Sequence, residues 1–321
     1  MLRVRVAHSA AMTAAASSTS PVLPSAAGAA SAPMRGILLI LAAVTLFVAM
    51  DTLGKYLGRD YPIWQVVWAR YAFHLALMSP LLAMGRVTIR TGRPGVQVFR
   101  SLMLVSVTFL FYTSVQFMPL ATANAIGFLA PLLVTALSVP LLGERVGPRR
   151  WAAVVAGFLG VVVIIRPNAD MDPAMLLPLG VAVCFALYHL STRMLSHTDR
   201  PLTTLFWTAV VGLIVSTSML PFDWRTPDAG GWALLASLGA LGCVSHLLMI
   251  KAYSYAPASV MAPFTYTQLV WAIPAGFLVF GDLPDAWALA GATVIVGSGL
   301  YVWHREATLA RARRRTAEAR T

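Results

Sequence analysis

Phe117-Met118-Pro119-Leu120-Ala121 leads into an apolar run that closes on Gly143-Glu144, with Trp151 beyond it. Tyr255-Ala256-Pro257-Ala258 leads into another that closes on Gly281-Asp282, with Trp287 beyond it. The two stretches lie about 137 residues apart, so an entire structural unit is repeated rather than a helical turn. Working outward, Phe47, Asp51, Lys55, Pro62 and Trp68 stand opposite Phe185, His189, Arg193, Pro201 and Trp207 at nearly the same offset. A strongly apolar unit written twice is how many membrane carriers are built, with the site between the halves near the bilayer midplane.

The composition fixes the class. The chain of 321 residues is 58% hydrophobic and 11% charged, with a mean hydropathy of +0.74. A soluble domain carries roughly 25% charged residues, so this chain lacks the polar side chains to cover a water-facing surface. The net charge of +12 does not point to nucleic acid, because the cations sit in loops and tails between apolar runs. Cys184 and Cys243 lie in apolar segments and read as small packing residues.

Residues 1–34 are rich in Ala and Ser and read as a disordered leader, with Met34 an alternative start. Ten apolar segments follow, each of roughly the 17–25 residues that a spanning helix needs. They fall at 36–56, 63–84, 98–117, 120–142, 150–166, 174–194, 202–221, 232–252, 258–280 and 285–303. The backbone in lipid must satisfy its own hydrogen bonds, so all ten are expected as helices. The expected architecture is an all-α integral membrane protein of two five-helix repeats, 35–167 and 168–304, with a basic tail at 305–321. Five is odd, so the second repeat enters the membrane upside down. Lys and Arg set the orientation: 19 of the 24 fall on the side of the termini. Only Lys55, Arg59, Arg166 and Arg225 fall opposite, and Arg70 lies inside a span. That bias puts both termini in the cytoplasm.

Phe99-Arg100-Ser101-Leu102 opens the third span, and Pro119-Leu120-Ala121-Thr122-Ala123-Asn124-Ala125-Ile126 the fourth. Ala130-Pro131-Leu132, Leu142-Gly143-Glu144, Trp151 and Gly157-x-x-Gly160 follow. In these residues the chain resembles the EamA-type drug/metabolite transporters over about residues 35–304. The second half departs from the pattern, with Gln268 in place of Pro131 and Asp282 in place of Glu144. Met50-Asp51-x-x-Gly54-Lys55-Tyr56 and Gln65-Val66-Val67-Trp68-Ala69-Arg70-Tyr71 resemble a bacterial branch that includes carriers of riboflavin-like and S-adenosylmethionine-like metabolites. The resemblance implies a secondary transporter of a small organic metabolite in a bacterial inner membrane, with alternating access. A lipid-linked substrate flippase and a non-transporting scaffold are the competing readings. An intramembrane enzyme is disfavoured, because neither H-E-x-x-H nor G-x-S-x-G occurs. With no Walker motif, nucleotide hydrolysis is not expected either. No cofactor or metal site is expected, since the histidines are scattered.

Ionisable groups within spans cost a few kcal/mol each, which makes them candidates for function. In the first hairpin Asp51 and Arg70 sit at equal depth, which suggests a meeting. Lys55 competes for Asp51 from one turn away. Two cations and one anion would leave positive charge for an anionic substrate group; an ion pair holding two helices is the plain alternative. His74 lies one turn from Arg70, His189 holds the Asp51 position of the second repeat, and His246 sits in the eighth span. Each is a proton or substrate site, or a packed interhelical histidine. Gln116, Asn124, Tyr266 and Gln268 line a cavity or bond a neighbouring helix, with Tyr266 and Gln268 preferred as substrate contacts. Trp68 and Trp207 match across the repeat and are candidates for stacking on substrate, whereas Trp64 reads as an interface anchor. Pro119, Pro131, Pro140, Pro257, Pro263 and Pro274 mark the fourth and ninth spans as kinked, and so as candidate moving elements. Glu144 is expected to pair with Arg145, Arg149 or Arg150. Arg311, Arg313, Arg314 and Arg315 suggest a short tail helix on anionic lipid. The expected partners are thus a small-molecule substrate and membrane lipids, with Gly157-x-x-Gly160 packing either within the monomer or in a homodimer.

Overall fold

The computed structural model describes residues 26–143, 146–167, 172–195, 198–255 and 258–318. The described chain forms twelve α-helices: α1 (Ala26–Leu57), α2 (Ile63–Ala83), α3 (Pro94–Phe117), α4 (Leu120–Gly127), α5 (Ala130–Leu142), α6 (Pro148–Ile165), α7 (Leu177–Leu195), α8 (Pro201–Met219), α9 (Ala229–Tyr255), α10 (Ala258–Thr265), α11 (Thr267–Phe280) and α12 (Ala286–Glu318). Among the described residues ten segments are long and apolar enough to cross a membrane. α4 with α5, and α10 with α11, share one span each. The protein is therefore a multi-pass membrane protein of two five-span repeats, inverted relative to one another. α1 starts at Ala26, inside the expected leader. Glu144, Arg145 and Pro257 lie outside the described residues, as do the side chains of Arg311, Arg313, Arg314 and Arg315.

The two divided spans break in the same way. Pro131 has no N–H to give the preceding turn, and the chain steps through Phe128 and Leu129 on tighter bonds, Leu129 N–H to Ile126 O and Leu132 N–H to Leu129 O, both at 3.0 Å. In the ninth span Tyr266 N–H bonds Pro263 O at 3.3 Å, and Leu269 N–H bonds Tyr266 O at 3.1 Å. Such three-residue bonds mark a local tightening of the helix. The repeat persists at the helix ends. Gly143 stops α5 at φ 67°, and Gly281 stops α11 at φ 73°, a left-handed conformation that glycine adopts without strain.

α1 packs on α9, α3 on α7 and α8, and α2 on α8 and α9, so the repeats interleave. The central core gathers Val66, Tyr71, Tyr112, Leu120, Leu235 and Leu238. α6 and α12 form a peripheral pair. There a side chain on Gly160 would stand 2.9 Å from the Gly291 carbonyl oxygen, so the two backbones touch. The small-residue face of Gly157 and Gly160 is thereby taken up within the chain. The bundle end that carries the outer ends of α1 and α12 is called the basic end below, and the opposite one the far end.

Candidate functional site

The two breaks meet. Phe128, which ends α4, and Tyr266, which precedes α11, pack their rings 5.0 Å apart. Beside them Gln268 Nε2 donates to Asn124 Oδ1 at 2.9 Å and to Asp51 Oδ2 at 3.2 Å. Asn124 Nδ2 donates back to Leu120 O at 3.1 Å. Asp51 on α1, Asn124 on α4 and Gln268 on α11 thus form one network, two members from the first repeat and one from the second. Asp51 and Asn124 are buried and Gln268 is half-buried. Its polar atoms lie where two helices are interrupted, and interrupted helices leave backbone and side-chain groups open to a ligand.

Lys55 leaves this network. Its Nζ binds Asp282 Oδ2 at 2.5 Å and Met118 O at 3.0 Å. Phe280 lies under both Lys55, at 4.8 Å, and Arg59, at 4.7 Å. These contacts tie α1, the α3–α4 corner and the end of α11 together above the network, at the far end. α4 and α11 pack against each other on that side. Towards the basic end α5 packs mainly on α6 and α7, and α10 mainly on α1, while both touch α12.

Arg70 also makes no direct ion pair with Asp51, although its charge acts on the carboxylate through space. It donates to Thr108 Oγ1 at 2.5 Å and lies 5.5 Å from the Tyr71 ring. Arg70 Nε, His74 Nε2 and the Tyr112 hydroxyl are buried without a hydrogen-bond partner. His74 and His246 face each other at 6.1 Å, and His246 Nδ1 lies 2.8 Å from Gly242 O. These groups form a second polar cluster between α2, α3 and α9.

The other expected residues lie elsewhere. Trp68 packs edge-on to Trp224 and Trp232, at 5.7 and 6.4 Å, in an aromatic group. Trp207 Nε1 donates to Ile89 O at 2.9 Å and ties α8 to the α2–α3 connection. Gln116 Nε2 donates to Lys55 O and Tyr112 O, a clamp between α1 and α3. His189 is exposed on α7, against the Phe185 ring at 4.5 Å. Among the described residues no group of three His, Cys, Asp or Glu side chains could hold a metal ion.

Arg100 is a residue that the sequence reading placed with the loop cations. It is buried inside α3, where it donates to Thr192 Oγ1, Thr208 Oγ1, Thr204 O and the Tyr188 hydroxyl, and lies 4.4 Å from the Tyr188 ring. It thereby pins α3 to α7 and α8. Asp199, in the turn between α7 and α8, accepts from Thr91 Oγ1, from Gly92 N–H at 3.0 Å and from Gln97 Nε2 at 2.7 Å. Burial works to raise the Asp199 carboxyl, but these hydrogen bonds, with one from Thr198, outweigh it and hold the group below its ordinary value. The signal that could have found Arg100 is its place six residues into an apolar helix, with three Thr on the facing helices.

Comparison with known proteins supports the repeat and the fold. The EamA-like transporter family profile matches residues 34–166 and again 172–303, one copy per repeat. The S-adenosylmethionine uptake transporter of Rickettsia bellii is 31% identical over 260 residues, covering 80% of this chain and 89% of that protein. The riboflavin transporter of Vibrio cholerae is 30% identical over 292 residues, covering 89% and 98%. A solved crystal structure superposes with a TM-score of 0.56 at 21% identity, over 84% of this chain and 95% of that one, and shares the fold.

Proposed function

The chain belongs to the EamA-like transporter family and is a membrane carrier of small metabolites, and on that premise we propose that it binds an organic cation at the Asp51–Gln268–Asn124 network and exposes it to one side of the membrane at a time. The membrane is a bacterial inner membrane, as the bacterial relatives suggest, and both termini lie in the cytoplasm, as the cation bias indicates. The network joins α1 and α4 of one repeat to α11 of the other. Rocking one repeat against the other therefore changes both the network and the side it faces.

One observation carries the substrate class. Asp51 is a buried carboxylate in no direct ion pair, because Lys55 is bound to Asp282 and Arg70, which acts on it only through space, donates to Thr108. With Lys55 gone from the cluster, the expected surplus of positive charge is gone too. An interior carboxylate gains most from a positively charged partner, and the flanking amides suit the edge of a heterocycle. S-adenosylmethionine, the substrate named for the Rickettsia relative, combines an ammonium, a sulfonium and a heterocycle. A neutral heterocycle such as riboflavin is the second reading, favoured by the amides and by the Vibrio relative.

Thermal stabilisation of the purified carrier by a panel of S-adenosylmethionine, flavins, amino acids and nucleosides tests this. S-adenosylmethionine should stabilise the wild type and fail with Asp51→Asn. A flavin that stabilises the wild type and Asp51→Asn but not Gln268→Ala would replace the first reading with the second. Equal stabilisation of all three proteins by any ligand would remove the network from the site.

A further inference from the structure

We propose that the substrate carries an α-amino acid head, and that Arg70 and Tyr112 hold its carboxylate while Asp51 holds its ammonium. The inference rests on the Asp51 reading above and adds the other half of the head group. It starts from polar atoms that the fold buries and leaves unused.

Arg70, on α2, is 6% exposed, and Tyr112, on α3, is 1% exposed. Arg70 Nε and the Tyr112 hydroxyl have no hydrogen-bond partner. A buried donor left without an acceptor is costly, most of all on a charged group, so two such donors in one cluster call for an acceptor. Both lie beside Asp51. A Cβ on Gly54, one turn along α1 from Asp51, would stand 2.4 Å from Tyr112 Cε1, so the phenol ring lies against that turn. A Cβ on Gly242, on α9, would stand 3.3 Å from Met50 Sδ and 3.7 Å from Arg70 Nε. Arg70 Nε therefore faces the place where α9 meets α1, at the residue before Asp51. The charges of Arg70 and Asp51 both act on the Tyr112 hydroxyl.

The cluster thus offers a cation and an anion that are neighbours without forming an ion pair. A lone ammonium would satisfy Asp51 and leave Arg70 without an anion, and a lone carboxylate would do the reverse. A zwitterion satisfies both, and an interior charge is stable only when it is paired. An α-amino acid carries its ammonium and its carboxylate on one carbon, close together and opposite in sign, so it fits between an Asp and an Arg that stand apart. Thr108 takes Arg70 Nη1 at 2.5 Å and so fixes the guanidinium. A guanidinium presents several donors in one plane, which matches a carboxylate. A neutral heterocycle brings Arg70 no anion.

The test is equilibrium binding to the full-length purified carrier of two ligands that differ in one group. They are S-adenosylmethionine and its decarboxylated form, which keeps the ammonium, the sulfonium and the heterocycle. Wild type should bind the decarboxylated form at least about tenfold more weakly. Arg70→Gln should remove that preference by weakening S-adenosylmethionine, without weakening the decarboxylated form. Tyr112→Phe keeps the ring against α1 and should narrow the preference about threefold, and it serves as well if Arg70→Gln fails to fold. A clamp that only holds helices together would move both ligands alike. Equal binding of the two ligands by wild type overturns the proposal and leaves the Asp51 reading standing, as does a preference that survives both variants. Asp51→Asn, by contrast, should weaken both ligands. A loss confined to the Arg70 and Tyr112 variants would strike the Asp51 reading and support the carboxylate site. An amino acid that binds in place of S-adenosylmethionine is compared with its own amine in the same way. Binding of neither S-adenosylmethionine nor any amino acid overturns the proposal.

Discussion

The first and second repeats fold alike and differ in chemistry. Pro131 breaks the fourth span, while the same register of the ninth span carries Gln268, whose amide reaches both Asn124 and Asp51. Asp51 is buried in the network, whereas its counterpart His189 lies exposed on α7 against Phe185. Asp282 receives Lys55 across the repeats. Shared positions build the scaffold, and departures from the repeat build the polar network proposed as the site.

That comparison is most severely tested at Asp51. Replacing it with Asn keeps the shape and the Gln268 bond but removes the charge. A hydrogen bond to a charged group is worth about 1.5–3 kcal/mol, so cation affinity should fall by about 10- to 100-fold. Uptake into proteoliposomes and equilibrium binding should fall together.

Arg100 comes next, as the clamp between α3, α7 and α8. Arg100→Ala leaves three hydroxyls and a carbonyl without their donor and should lower stability by about 2–4 kcal/mol. Thermal unfolding in detergent measures it, and Arg100→Lys should recover only part. An unchanged Tm would mean that the cluster carries no packing role.

The Lys55–Asp282 bridge should be worth about 1–3 kcal/mol, since Lys55 is buried and Asp282 is one-third exposed. Lys55→Met should open the far end, so that a cysteine placed at Met118 labels faster. The charge reversal Lys55→Asp with Asp282→Lys should restore protection. Gln268→Pro, which makes the second repeat copy the first, should cost binding without opening the far end.

The smallest effect belongs to Asp199. Its carboxyl is held below the ordinary value of 3.8. Its contribution is therefore complete above about pH 4 and is lost as pH falls through the lower folded value. Proteolysis of the α7–α8 turn should accelerate only under acid, and Asp199→Asn should remove that dependence.

Much of the fold was legible in the sequence because the spans are set by local hydrophobicity and the repeat by register. The two divided helices were visible through their prolines. Gln268 stood out because it interrupts a repeated Pro. The Lys55–Asp282 bridge was not legible: its partners are 227 residues apart, and Lys55 had a nearer acid in Asp51. Arg100 was missed for a similar reason. An arginine near a helix start reads as a loop cation, and only the packing of α7 and α8 around it supplies the threonines that allow its burial. Trp68 and Trp207 matched in the repeat, yet one packs among tryptophans and the other bonds a connecting segment. A matched register reports shared scaffold rather than shared contact with a ligand.

The central claim is that an organic cation binds at Asp51 where the two interrupted helices cross. Equilibrium binding of radiolabelled S-adenosylmethionine to the purified carrier, wild type against Asp51→Asn, tests it most directly. The prediction is saturable binding by the wild type and a loss of at least about tenfold in affinity for the variant, with Tm unchanged in the absence of ligand. Saturable binding of equal affinity by both proteins would contradict it.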